Sequence, residues 1–161
     1  MKAIGIINIV LGGLCIIGNL IGTLIIYIEK IIFSSMINLP YNEFMPFDMG
    51  TYMSDIFNLM LINLPVVLII YVMLLLSGIK IVKKDEAGIR LAKVSSWSII
   101  AWYFAYMAFA YITFAPYFEL FAGSGIFMAI MFIIGGLIGL VFTCGYPVFL
   151  LLYFRKPRTF K

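Results

Sequence analysis

Four stretches of this chain carry no charge, and each is long enough to cross a lipid bilayer. Between Lys2 and Glu29, Asp55 and Lys80, Lys93 and Glu119, and Glu119 and Arg155 lie 26, 24, 25 and 35 uncharged residues. About 20 consecutive apolar residues carry a helix through the hydrocarbon core. Backbone N–H and C=O groups in hydrocarbon must be paired within the protein, which leaves helices and closed barrels as spanning structures. Barrel strands alternate polar and apolar positions, whereas these runs are continuously apolar. The expected fold is therefore an all-α membrane protein, a four-transmembrane-helix bundle forming a single domain over 1–161, with spans near 3–28, 56–82, 94–115 and 125–154. Composition agrees, with 65% of the 161 residues hydrophobic and 11% charged, against about 25% charged in soluble domains.

The few charges set an orientation. Lys2, the hairpin residues Lys80, Lys83, Lys84, Arg90 and Lys93, and the tail residues Arg155, Lys156, Arg158 and Lys161 make up ten of the 11 basic residues and fall at one end. Lys30 is the exception. Glu29, Glu43, Asp48, Asp55 and Glu119, five of the seven acids, fall at the other end. Basic loops remain cytoplasmic, so both termini and the middle hairpin are expected inside, at a bacterial inner membrane. The net charge of +4 then reflects topology and no nucleic-acid partner, because the cations flank spans instead of forming a basic domain; they would also attract anionic lipid. The first span has one lysine before it, an apolar run well beyond the roughly 7–15 residues of a signal peptide, and no small-x-small cleavage site. It is expected to be retained.

The connections differ in character. KKDEAG at 83–88 predicts a tight turn, with Asp85 starting the next helix. Pro116 is expected to stop the third helix, and GSG at 123–125 to mark the second outer turn. The long outer loop, 33–55, contains the helix breakers Pro40, Pro46 and Gly50. Its aromatic and Met-rich composition suits a segment that caps the bundle or meets a neighbour, through Tyr41, Glu43, Phe44, Phe47, Asp48 and Tyr52.

Within the spans, small and polar residues recur at alternating intervals of three and four, which places them along one helix face. In the first span this stripe is Gly5, Asn8, Gly12, Cys15, Asn19 and Gly22. The third carries Ser98, Ala101, Ala105, Ala108 and Ala115, and the fourth Ala129, Phe132, Gly136, Gly139, Thr143 and Tyr146. Apolar side chains gain nothing by leaving lipid for each other, so helices associate through close packing and interhelical hydrogen bonds. The stripes are expected to be packing seams, closing the chain's own bundle or recruiting a partner. Gly18–Gly22 and Gly135–Gly139 also match G-x-x-x-G.

Groups that carry chemistry are sparse. The sequence has no histidine, the commonest general base and metal ligand. Cys15 and Cys144 are expected at similar depths, as two small buried residues or a disulfide pair. No acid falls deep in a span, as proton-coupled transport usually requires; Glu29 comes nearest, and beside Lys30 it reads as interfacial. Met45, Met49 and Met53 repeat every four residues and offer soft ligands suited to Cu(I), but Pro46 and Gly50 interrupt the helix that would align them. Glu43, Asp48 and Asp55 match no calcium-loop spacing. No cofactor or metal site is expected. Tyr41, Tyr52, Trp97, Trp102, Tyr117 and Tyr153 suit interfacial anchoring.

LLLSGIKIVKKDEAGIRLAKVSSWSI (74–99) resembles the hairpin of many small bacterial four-helix inner-membrane proteins, with an apolar helix, a small-Gly pair, a basic turn and re-entry. YPVFLLLYFRKPRTFK (146–161) is similar to their close, a Tyr-Pro pair in the last helix followed by a basic Arg-Pro tail. The resemblance implies a bacterial membrane origin and assigns no reaction. The sequence thus points to a non-catalytic accessory or scaffold subunit, partnered by other membrane subunits or its own copies. The alternative is an oligomeric channel or small transporter, with the Asn/Gly stripe of the first helix lining a polar path.

The orientation is testable in intact cells. Cysteines placed at Asn42 and Gly123 should react with an impermeant thiol reagent, and one at Glu86 should react only after the membrane is opened.

Overall fold

The computed structural model describes residues 1–36, 49–120 and 125–155. Four helices fill this range: α1 (Lys2–Met36), α2 (Met49–Val82), α3 (Ala87–Leu120) and α4 (Gly125–Tyr153). Each is long and apolar enough to cross a membrane. At 1.5 Å per residue, the 35 residues of α1 extend about 52 Å.

Three expected boundaries are corrected. The outer connection does not occupy 33–55, because α1 continues to Met36 and α2 is already helical at Met49. Gly50 and Asp55 are therefore helical, and Gly50, in the first turn, breaks nothing. Pro116 does not stop α3, which runs through it to Leu120, as α2 and α4 run through Pro65 and Pro147. A proline removes one helical hydrogen bond and frees one carbonyl. Unwinding the turn in an apolar setting would leave more groups unpaired, so the helix persists. Tyr41, Glu43, Phe44, Phe47, Asp48 and Met45 lie outside the described residues, as do the side chains of Met49 and Met53.

Consecutive helices pack against one another, α1 most extensively with α2, then α2 with α3 and α3 with α4. One cluster draws on all four: Ile4 of α1, Leu74 and Ile81 of α2, Ala92 of α3, and Leu150 with Phe154 at the end of α4. This juxtaposition makes the helices antiparallel in sequence and puts the N-terminus, the 83–86 turn and Arg155 at one basic end. Burial is concentrated there. The residues that lose essentially all exposure are Phe154, Ile81, Leu150, Asn8, Ser77, Ser95 and Ser96. Among the described residues, α1 has no buried position beyond Gly12, and α4 has none before Cys144. Large apolar side chains such as Leu14, Phe104, Ile126 and Phe142 are exposed on the outer faces, a surface suited to lipid contact and far more apolar than a water-soluble monomer presents.

The α2–α3 turn shows why the basic end is tight. Asp85 N–H donates to the Lys80 carbonyl (2.9 Å) and Lys84 N–H to the Ile81 carbonyl (3.0 Å), the paired bonds of a Schellman ending. Lys84 occupies the left-handed position, with φ of 60°, where glycine is usual. Asp85 then starts α3, its Oδ1 accepting from Ala87 N–H at 2.8 Å, as an N-cap does. That amide, and next Lys80 at 3.2 Å, hold the Asp85 carboxyl below the usual carboxylate range. A carboxylate so depressed stabilises the fold above its unfolded-state pKa, and the effect disappears as pH falls through the folded value. Three residues on, a Cβ at Gly88 would lie 2.7 Å from Ile81 N, so only glycine lets α3 begin this close to α2.

The turn makes a signed prediction. Lys84→Gly removes the left-handed cost of a β-carbon, about 1–2 kcal/mol, offset in part by the added freedom of the unfolded chain. Equilibrium unfolding in detergent should show a net gain of about 1 kcal/mol. Gly88→Ala should lower stability in the same assay.

Candidate functional site

Asn8 is the only amide side chain that the described residues bury completely. Its position follows from the close approach of α1 and α2. A Cβ at Gly78 would lie 2.5 Å from the Gly5 carbonyl and 2.8 Å from Ile9 N, and one at Gly12 2.9 Å from Leu75 N. The two backbones therefore touch around Asn8. There Asn8 Nδ2 donates to Ser77 Oγ at 2.9 Å, and Ser77 Oγ donates to the Leu74 carbonyl at 2.6 Å. From α4, the Tyr146 hydroxyl donates to Asn8 Oδ1. This chain of bonds joins α4 to α1 and α2 and ends on a backbone acceptor, so every polar group in it is satisfied. Ser95 and Ser96, also buried, donate to the Ala92 carbonyl within α3 (3.1 and 2.8 Å). We call the Tyr146–Asn8–Ser77 chain the clamp.

Directly above the clamp lies a partly open cavity of about 280 Å³ to which all four helices contribute: Asn19 of α1, Asn63 and Tyr71 of α2, Trp102 and Tyr106 of α3, and Thr143 of α4. Val67, Ile70 and Ile99 complete an apolar lining. Thr143 precedes Tyr146 by one turn, while Asn63 is 14 residues, about 21 Å of helix, from Ser77. The cavity thus occupies the middle of the bundle and is closed towards the basic end. Trp102 Nε1 donates to Asn63 Oδ1 at 2.7 Å. Every lining side chain is uncharged. Such a site can accept hydrogen bonds, donate them and stack against rings; it offers an ion no countercharge.

The stripes meet different fates. On α1, Gly5, Asn8 and Gly12 are buried against α2, while Cys15, Asn19 and Gly22 are half-buried, Asn19 on the cavity wall. A Cβ at Gly18 or Gly22 would meet nothing within 4 Å. On α4, Gly136 and Gly139 receive α3: Cβ atoms there would lie 2.6 Å from Met107 Cε and 2.9 Å from the Tyr103 hydroxyl, which donates to the Gly136 carbonyl. The α3 stripe takes little part in closing this bundle. Ala101 and Ala108 are exposed, and Ala105 is half-buried, with Ala101 and Ala105 bordering a surface groove beside α2. The buried face of α3 instead carries Ala92, Ser95, Ser96, Ile99 and Ala110, because bulky Tyr103 and Met107 meet the glycines of α4. Between α3 and α4, small residues on one helix match large ones on the other.

Other expected residues are placed plainly. Cys15 and Cys144 are both free thiols, not a disulfide. Glu29 is exposed beside exposed Lys30. Trp97 is exposed, but Trp102 turns to the cavity and is not an interfacial anchor. Tyr52 packs edge-on to Tyr117 at 4.9 Å, and the Tyr117 hydroxyl donates to Asp55 Oδ2 at 2.6 Å. The cavity residues Asn63, Tyr71 and Tyr106 are not among those singled out from the sequence; Asn63, an amide deep in an apolar run, was the available signal.

No protein-family model matches this chain, and neither the curated proteins nor the solved structures yield a match.

The two classes of α1 glycine should separate in stability. Gly12→Leu drives a side chain into the Leu75 backbone and should cost roughly 1–3 kcal/mol. Gly18→Leu meets open space and should leave the unfolding midpoint of the monomer within error.

Proposed function

We propose that this chain is a non-catalytic, multi-pass subunit of a bacterial inner membrane, with both termini cytoplasmic, that associates with another membrane-embedded chain through the outer half of α1. The observation that carries this reading is the unequal packing of the α1 glycines. Gly5 and Gly12 are filled by α2, while Gly18 and Gly22 have no atom within 4 Å of a Cβ position. Glycines let helix backbones approach closely in lipid, and their recurrence at four-residue spacing leaves a shallow track for a second helix. A separate groove of about 650 Å³ between α1 and α2, lined by Leu20, Leu24, Tyr27, Lys30, Phe57 and Leu61, lies on another face of the same half of α1.

A second reading, as a channel or small transporter, draws on the cavity, where Asn19 stands among neutral polar groups. The clamp weighs against a continuous path. Asn8, Ser77, Ile81, Leu150 and Phe154, all 1% exposed or less, fill the bundle between the cavity and the basic end.

The accessory reading is tested by mass in mild detergent. The native protein should migrate as a discrete species larger than the 18.2 kDa chain, and the double variant Gly18→Leu, Gly22→Leu should release it as a folded monomer. A native monomer, or a complex unchanged by both substitutions, contradicts the proposal.

A further inference from the structure

We infer that the central cavity is a binding site for an uncharged amphiphile whose head is a flat ring bearing carbonyl oxygens, and whose apolar tail leaves between α1 and α4. This goes beyond the accessory reading and stands independently of it. Size comes first. About 280 Å³ lies at the lower edge of the range for small-molecule pockets, enough for a substituted ring and too small for a folded lipid.

Charge comes next. The lining has no acid, base or histidine, and an ion placed mid-bundle without a countercharge would bear most of its desolvation cost. The occupant is therefore neutral. Its polar character follows from the hydrogen-bond inventory. Asn63 Oδ1 is engaged by Trp102, which leaves the two Asn63 Nδ2 hydrogens as donors at the cavity. The Asn19 amide and the Thr143 hydroxyl face it from α1 and α4. No fully buried side-chain polar atom lacks a partner among the described residues, so the remaining capacity of these groups is directed at accessible space. Carbonyl oxygens on the occupant would receive these donors. The rings of Trp102, Tyr71 and Tyr106 supply flat apolar surface for stacking.

The portal follows from topology. The extensive helix contacts are α1–α2, α2–α3 and α3–α4, while α1 and α4 are joined by the Tyr146–Asn8 bond towards the basic end. Asn19 and Thr143 stand on either side of the gap above that bond. A tail leaving there enters the hydrocarbon directly, and the clamp forms the floor on which the ring rests.

The sequence contains two tryptophans, which makes the test direct. Trp97 is 63% exposed on the outer face, while Trp102 lines the cavity. In lipid nanodiscs, a Trp97→Phe protein reports on the cavity and a Trp102→Phe protein reports on simple partition into lipid. Titration with an uncharged short-tailed benzoquinone should quench Trp102 saturably and Trp97 only in proportion to added quinone. Asn19→Leu, checked for an unchanged melting temperature, should weaken the saturable phase roughly two- to tenfold, the effect of one hydrogen bond. Thr143→Phe, which fills the cavity, should abolish it, and a sulfonated quinone should give none. Non-saturable quenching of Trp102 in the otherwise native protein overturns the inference, whichever variants fold. So does saturable binding that Asn19→Leu leaves unchanged, or that the sulfonated quinone reproduces.

Discussion

The arrangement of α1, α2 and α4 depends on one buried amide. Asn8 lies among apolar side chains with no exposure, where an unpaired amide would be costly. It meets that demand by using both ends of its side chain, receiving a proton from Tyr146 and giving one to Ser77. Both partners come from later helices, 69 and 138 positions further along the chain. Apolar contacts in a bilayer carry little directional information, since lipid chains satisfy leucine as well as protein does. A hydrogen bond does carry it, and this one fixes the rotation of α1, α2 and α4 about their axes at a shared depth.

Around that point, glycines set the packing in two ways. Glycines of α1 receive the backbone of α2, and glycines of α4 receive Tyr103 and Met107 of α3. Where large residues face each other without a small partner, between Trp102, Tyr71 and Tyr106, the helices stand apart and the cavity remains. Cavity and clamp therefore share one origin. The same stripe that brings α1 against α2 at Gly12 carries Asn19 to the cavity wall two turns later.

Much of this fold was legible in the sequence, because charge-free runs of 24 residues or more admit few structures. Span number, helical type, the start of α3 at Asp85 and the stripe on α1 all follow from local rules. What escaped required knowledge of neighbours. Pro116 and Gly50 read as breakers because their local cost is real, yet the apolar length around them outweighs it. The alanines of α3 read as a seam, but a stripe of small residues does not reveal whether it faces its own bundle or the outside. Trp102 looked like an interfacial anchor until Asn63, 39 positions away, placed a hydrogen-bond acceptor beside its indole.

The central claim is that Tyr146 and Asn8 act as a pair that ties α4 to α1, and a double-mutant cycle measures this directly. Unfolding free energies of the native chain, Asn8→Ala, Tyr146→Phe and the double variant, taken in one detergent, give the coupling between the two side chains. A coupling between about 0.6 and 1.7 kcal/mol is expected, the average and the largest values for interhelical hydrogen bonds in membranes. Effects that add to within about 0.3 kcal/mol would show that the two residues act independently, and the clamp would not be what holds the bundle in register.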